Sequence, residues 1–290
     1  MITFRSISFS LLAVILWTPQ ALAQRPAAAE NAALRYWSAF SVMQDSAITS
    51  QQAAHLKAIL EGKASYDDSE FKDLLEKNKL PLQIMARATS LPDCDWGIDF
   101  SFGSNEPVEY ARDALALGRL NVLHAFHLLS AGDKDAGVRT LAAGLRFSRD
   151  VANGGTLFAT LVADGLISDH LRATAFALRS SGLSATQRSV LQKAVALLGP
   201  DGLDWQSAIH RELQVVRSDV SEDAQTSAAA FARIDSAYAA ALQNPSALPA
   251  LQETIQKAPE FARLIAKPDR VLRRKRDLTA QILEVRSLFK

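Results

Sequence analysis

The chain of 290 residues has one cysteine, Cys94. A single thiol cannot close an internal disulfide, which excludes a disulfide framework and leaves no cysteine pairs for a thiolate zinc site. Charge of either sign is not in excess: Lys plus Arg total 32 against 31 Asp plus Glu. Such a chain has no overall field to gather nucleic acid or an anionic membrane. With 13 Gly, 10 Pro and 7% aromatic residues, it is neither collagen-like nor low in complexity. It contains no Gly-rich phosphate loop, nucleophile elbow or dinucleotide fingerprint. Beyond the first residues, no run approaches the roughly 20 apolar residues that a spanning helix needs. What is there is an ordinary globular composition, 48% hydrophobic and 22% charged. Core burial must therefore supply the stability, and Cys94 reads as a small buried hydrophobe.

The first segment has the order of an export signal. Arg5 supplies a positive start and is the only charge before Gln24; Ile7 to Trp17 is apolar apart from Ser8 and Ser10. Pro19 breaks the segment, and Ala21-Leu22-Ala23 offers the small-x-small pattern of a cleavage site. The expectation is an exported protein, periplasmic or secreted, with residues 1–23 removed near Ala23 and no integral span in the mature chain.

Helix punctuation recurs along 24–290, which reads as one domain. Pro26 opens a segment in which Leu34, Trp37, Phe40 and Ser41 share a face. Thr49 with Gln52 has capping-box spacing for a helix from about Ser50 to Glu61, stopped by Gly62. Asp67 with Glu70 repeats the pattern ahead of Phe71, Leu74 and Leu75, and Pro81 occupies a first-turn position. Pro107 opens the most apolar block, which runs to Ala131; Gly132 ends it and Asp133 caps the next helix. Gly154-Gly155 precedes a third helix closed by Gly182, and Ser184 with Gln187 caps a fourth that stops at Gly199-Pro200. Short connections predict antiparallel neighbours. Beyond Pro200 the helices, near Trp205 to Val220 and Glu222 to Gln243, are more polar. Pro245, Pro249, Pro259 and Pro268 then cut the chain into short pieces.

The stretch 93–106 breaks this rhythm. Trp96, Ile98, Phe100 and Phe102 alternate with Gly97, Asp99 and Ser101, a period of two. It reads as an extended connector between the N-terminal helices (24–92) and the hydrophobic core (107–199), with its aromatic side chains docked on the helices. The predicted fold class is all-α: about a dozen helices in antiparallel hairpins, an irregular bundle or short α-solenoid without a substantial sheet.

Within this pattern, Asn121 to Phe147 resembles a tetratricopeptide-repeat helical hairpin. Gly132-Asp133 stands at the inter-helix turn, with Ala125, Gly137, Gly144 and Leu145 at the family's small and large packing positions. The sequence departs from the family where Asn121 replaces an aromatic residue and where the terminal proline is missing. The resemblance implies a stacked-helix surface for a protein or peptide, with Arg119, Phe126 and Ser130 facing the partner.

Other candidates for chemistry are few. His124 and His127 lie one helical turn apart and could share a metal ion if Asp95, Asp99 or His170 supplied a third ligand. Asp93, Asp95 and Asp99 superficially resemble a calcium loop, but Ile98 and Ser104 stand where such a loop has Gly and Glu. Ser69 with Lys72 and Ser287 with Lys290 have Ser-x-x-Lys spacing without the Lys-Thr-Gly that accompanies it in penicillin-recognising enzymes. Asp164, Asp169 and His170 read as a solvated helix face, as does the basic run Arg273-Arg274-Lys275-Arg276. The leading expectation is a non-enzymatic scaffold for a protein or peptide partner in the cell envelope, with no cofactor and no nucleic acid. The alternatives are a metal-assisted hydrolase using His124 and His127, and a small-molecule binder with a pocket near Trp96, Phe100 and Phe102.

Overall fold

A computed structural model describes residues 30–44, 48–105, 108–219 and 224–290, without side chains at 104, 105, 218, 219 and 224–226. The segment 1–23 expected to be an export signal, Gln24, Pro26, Pro107 and Glu222 lie outside these residues.

Among them the chain is all-α, as its periodicity predicts. The first four helices are α1 (Ala32–Ser41), α2 (Ser50–Leu60), α3 (Asp68–Lys77) and α4 (Lys79–Ala88). The central block is α5 (Tyr110–Ser130), α6 (Lys134–Ala152), α7 (Leu157–Ser180) and α8 (Ala185–Ala196). The C-terminal part is α9 (Trp205–Asp219), α10 (Ala224–Gln243), α11 (Leu248–Gln256), α12 (Pro259–Ala262) and α13 (Pro268–Ser287). The described residues contain no strand, only an isolated parallel bridge between Asn31 and Asp93. Capping boxes at Thr49–Gln52 and Ser184–Gln187 start α2 and α8. Asp67 caps α3 alone, because Glu70 reaches across to His55 instead.

Helix α6 sits at the centre, packed along α5, α7 and α8. The α5–α6 turn needs a left-handed residue, and Gly132 supplies it at φ 85° while Asp133 accepts from Ala136 N–H at 3.0 Å. Small residues then set the spacing of the three long helices. A β-carbon on Gly118 would fall 2.4 Å from Leu166 Cδ2, and one on Gly137 would fall 2.7 Å from Leu129 Cγ. Tyr110 meets Val151 while Leu129 meets Gly137, so α5 and α6 run in opposite directions; Gly118, Asn121 and Phe126 meet Leu166, His170 and Phe176 in turn, so α5 and α7 run in the same direction. Helix α7 also packs on α2, α9 and α13, which are distant in the chain. A one-dimensional stack confines contacts to neighbours and would lack these.

Several residues sit differently from their sequence expectation. Helix α1 buries Ala32, Ala33, Tyr36, Ala39 and Phe40, while Leu34 and Trp37 are 45% and 40% exposed. The face is set by Tyr36, whose hydroxyl donates to Asp150 Oδ2 at 2.8 Å. Asp164 and His170, expected on a solvated face, are buried on α7. The basic run is tied inward rather than solvated throughout: Arg274 pairs with Asp164 at 3.1 Å and Lys275 with Asp201 at 3.1 Å. The connector is extended only in its first half. Phe100–Asn105 turns as a 3-10 segment kinked at Gly103, so Trp96 docks on the core while Phe102 is left 62% exposed.

Candidate functional site

The connector is anchored where α6 ends. The Trp96 indole N–H donates to the Asp150 carbonyl at 2.7 Å, and its ring stacks on Tyr110 at 4.0 Å. Tyr110 in turn donates to the Val151 carbonyl at 3.2 Å, a position that a β-carbon on Gly154 would block at 1.7 Å. On the other side, the Asn31 side chain clasps the Asp95 backbone, donating to its carbonyl at 2.8 Å and accepting its N–H at 2.9 Å. Beneath lies the Asp150 carboxylate, fully buried, held by Tyr36 and by Arg146 Nε at 3.1 Å. Burial raises its pKa above the usual carboxylate range despite both partners.

This anchorage frames a cleft of about 840 Å³ between the connector, the α6–α7 turn, the α8–α9 turn and α9. Trp96, Ile98 and Phe100 form its apolar side, and Arg149, Thr160 and Arg211 are among its polar groups. The Arg211 guanidinium lies 5.3 Å from the centre of the Phe100 ring. It also lies against the turn, so that a β-carbon on Gly155 would come within 1.8 Å of its Nη1. Gly155 holds φ 73°, a conformation that favours glycine in any case.

The charges of the cleft are unevenly committed. Asp201 is bound by Lys275, and Asp204 caps α9 through Ser207 N–H at 3.0 Å and Ser207 Oγ at 2.7 Å. Asp95 accepts from Gly97 N–H at 2.9 Å. Arg149 reaches only the edge of Asp150, at 3.9 Å. Among the described residues no carboxylate pairs with Arg211. Cys94 borders the cleft with its thiol 3.6 Å from the Asp150 carbonyl, and burial pushes its pKa up, so it stays a protonated thiol.

The other predicted site residues are scattered. His124 and His127 stack with ring centres 6.3 Å apart, but His127 Nδ1 is bonded to Asp68 of α3. Burial, His127 and Lys79 together lower the His124 pKa. Among the described residues no three His, Cys, Asp or Glu side chains converge to hold a metal, so Asp95, Asp99 and His170 do not complete the pair. His170 is instead sealed between the long helices, with Nδ1 2.8 Å from the Leu166 carbonyl and Nε2 3.0 Å from Asn121 Oδ1. Burial lowers its pKa to about 4. Phe126, expected to face a partner, is 2% exposed because Tyr66 stacks on it at 6.0 Å and Phe176 meets it at 5.2 Å. Arg119 is half-buried, while Ser130 is exposed and donates to the His127 carbonyl.

Sequence reasoning found Trp96 and Phe100 through their period-two pattern but missed Arg149 and Arg211. Nothing local marks either arginine; the Gly154-Gly155 pair was the one available signal of a close approach. Comparison with known protein families, curated proteins and solved structures finds no match to this chain.

Proposed function

We propose that the chain is a binding protein whose cleft receives a small organic anion, a carboxylate or phosphate carried on a flat apolar body. One observation carries the reading: the cleft's acids are engaged within the fold, whereas Arg211 has no carboxylate partner among the described residues. A guanidinium presents a planar fork of donors that matches carboxylate and phosphate oxygens. Trp96, Ile98 and Phe100 offer the apolar body a wall. The volume falls within the range of about 300–1,000 Å³ typical of small-molecule sites. The metal-assisted alternative finds no third ligand among the described residues, and the partner line through Arg119, Phe126 and Ser130 is interrupted where Phe126 is covered. The order of charge, apolar stretch and Ala21-Leu22-Ala23 supports the same protein acting outside the cytoplasm after cleavage.

Isothermal titration calorimetry with phenyl phosphate and benzoate tests the reading, with benzyl alcohol and benzylamine as neutral and cationic controls. Saturable heat is expected from the anions alone, with affinity falling about tenfold or more in Arg211→Gln. Equal binding of all four probes, no binding of the anions, or anion binding untouched by Arg211→Gln would overturn it.

A further inference from the structure

A separate groove of about 680 Å³ opens between α4, α5, α6 and α8. Its floor is made of small residues, including Ala136, Ala142, Ala143 and Ala194, with Leu128 and Val190 beside them. Leu197 stands at its edge, 54% exposed. Besides His124, the ionisable residues lining it are Arg139, Arg146 and Lys193, and no carboxylate lines it. Arg146 is committed to Asp150, but Arg139 and Lys193 are exposed and pair with no carboxylate among the described residues.

The spacing of these cations indicates what would fit. Arg139 and Arg146 stand seven residues apart on α6, about 10.5 Å along the axis. Lys193 comes from α8, so positive charge is spread along the groove and drawn from two helices. A single lipid headgroup gathers its charge at one point and would not match that distribution. An alanine floor lets another helix approach to the 8–10 Å axial distances of close helix packing.

We propose that this groove docks an acidic amphipathic helix of a partner protein. Its apolar ridge lies on the alanine floor beside Leu128 and Leu197. Carboxylates on its flanks meet Arg139 from α6 and Lys193 from α8. The proposal is independent of the anion cleft, which shares no lining residue with this groove.

The test is fluorescence anisotropy with a labelled synthetic helix that carries leucines on one face and glutamates along both flanks of that face, compared with the same helix carrying lysines. The acidic helix is expected to bind saturably and the lysine helix not. The double variant Arg139→Glu/Lys193→Glu should weaken the acidic helix more than tenfold and admit the lysine helix. Both positions are exposed, and far-ultraviolet circular dichroism checks that the variant keeps its helices. Leu197→Asp should weaken both pairings. Equal binding of the two peptides, no saturable binding, or binding unmoved by the charge reversal would overturn the proposal. So would competition for the groove by vesicles of phosphatidylglycerol, or its occlusion in a dimer of this chain.

Discussion

Gly144 offers a sharp quantitative test, because two physical effects there have opposite signs. It lies in the middle of a 19-residue helix, where alanine is intrinsically better than glycine by about 1 kcal/mol. A β-carbon at that position, however, would fall 2.0 Å from His170 Nε2 and 2.3 Å from Asn121 Oδ1. Neither neighbour can yield easily. His170 is fully buried, with its other ring nitrogen held by the Leu166 carbonyl and by Ser148 at 3.2 Å. Forcing the contact costs about 1–3 kcal/mol in overpacking. Parting His170 from Asn121 leaves two buried polar groups unpaired, at about 1–3 kcal/mol more. Subtracting the propensity gain leaves Gly144→Ala destabilising by about 3 kcal/mol, within a span of about 1–5. Gly165, on α7, has nothing within 4 Å of a β-carbon. Gly165→Ala should therefore stabilise by up to about 1 kcal/mol. Urea unfolding followed by circular dichroism measures both, with the slope unchanged if the denatured state is unaffected. A Gly144→Ala protein as stable as the parent would refute the close three-helix packing.

The same melts test further features. Asp150→Ala leaves the Tyr36 hydroxyl and the Arg146 guanidinium without their carboxylate and should cost about 3–5 kcal/mol; a loss below about 1 kcal/mol would mean the carboxylate does not tie α1 to α6. Acid stability should reflect two opposed groups. His170, lowered by burial from 6.5 to about 4, contributes stability that is present above pH 6.5 and lost as pH falls through 4. Asp164, raised from 3.8 to about 6 chiefly by burial against the pull of Arg274, contributes stability that is present below pH 3.8 and lost as pH rises through 6. Asp164→Asn should thus make stability fall more steeply between pH 6 and pH 4, by about 2 kcal/mol, and an unchanged pH profile would refute the assignment. Cys94, with its thiol kept protonated by burial, should resist iodoacetamide until urea unfolds the chain; native-state labelling at the rate of a free thiol would contradict this.

Fold class was legible because helix punctuation is local. The capping boxes at Thr49 and Ser184 and the stops at Gly62, Gly132, Gly182 and Gly199 each act within a few residues. Which face a helix buries is a tertiary property. Leu34 and Trp37 lost to Tyr36, which packs on Trp96 and Phe147 and donates to Asp150 on a distant helix. His170 and Asp164 looked like surface residues because their partners, Asn121 and Arg274, are 49 and 110 residues away. The cleft was half legible: alternation flagged Trp96 and Phe100, but Arg211 becomes informative only once Phe100 and the Gly155 turn lie against it.

The anion cleft is tested most directly by nitrogen-edited nuclear magnetic resonance of the arginine Nε–Hε and tryptophan indole groups during titration with phenyl phosphate. The Arg211 and Trp96 signals should shift together and saturate, while those of Arg273 and Trp205 stay in place. Uniform small shifts across all arginines, or an unmoved Arg211 signal, would contradict the account.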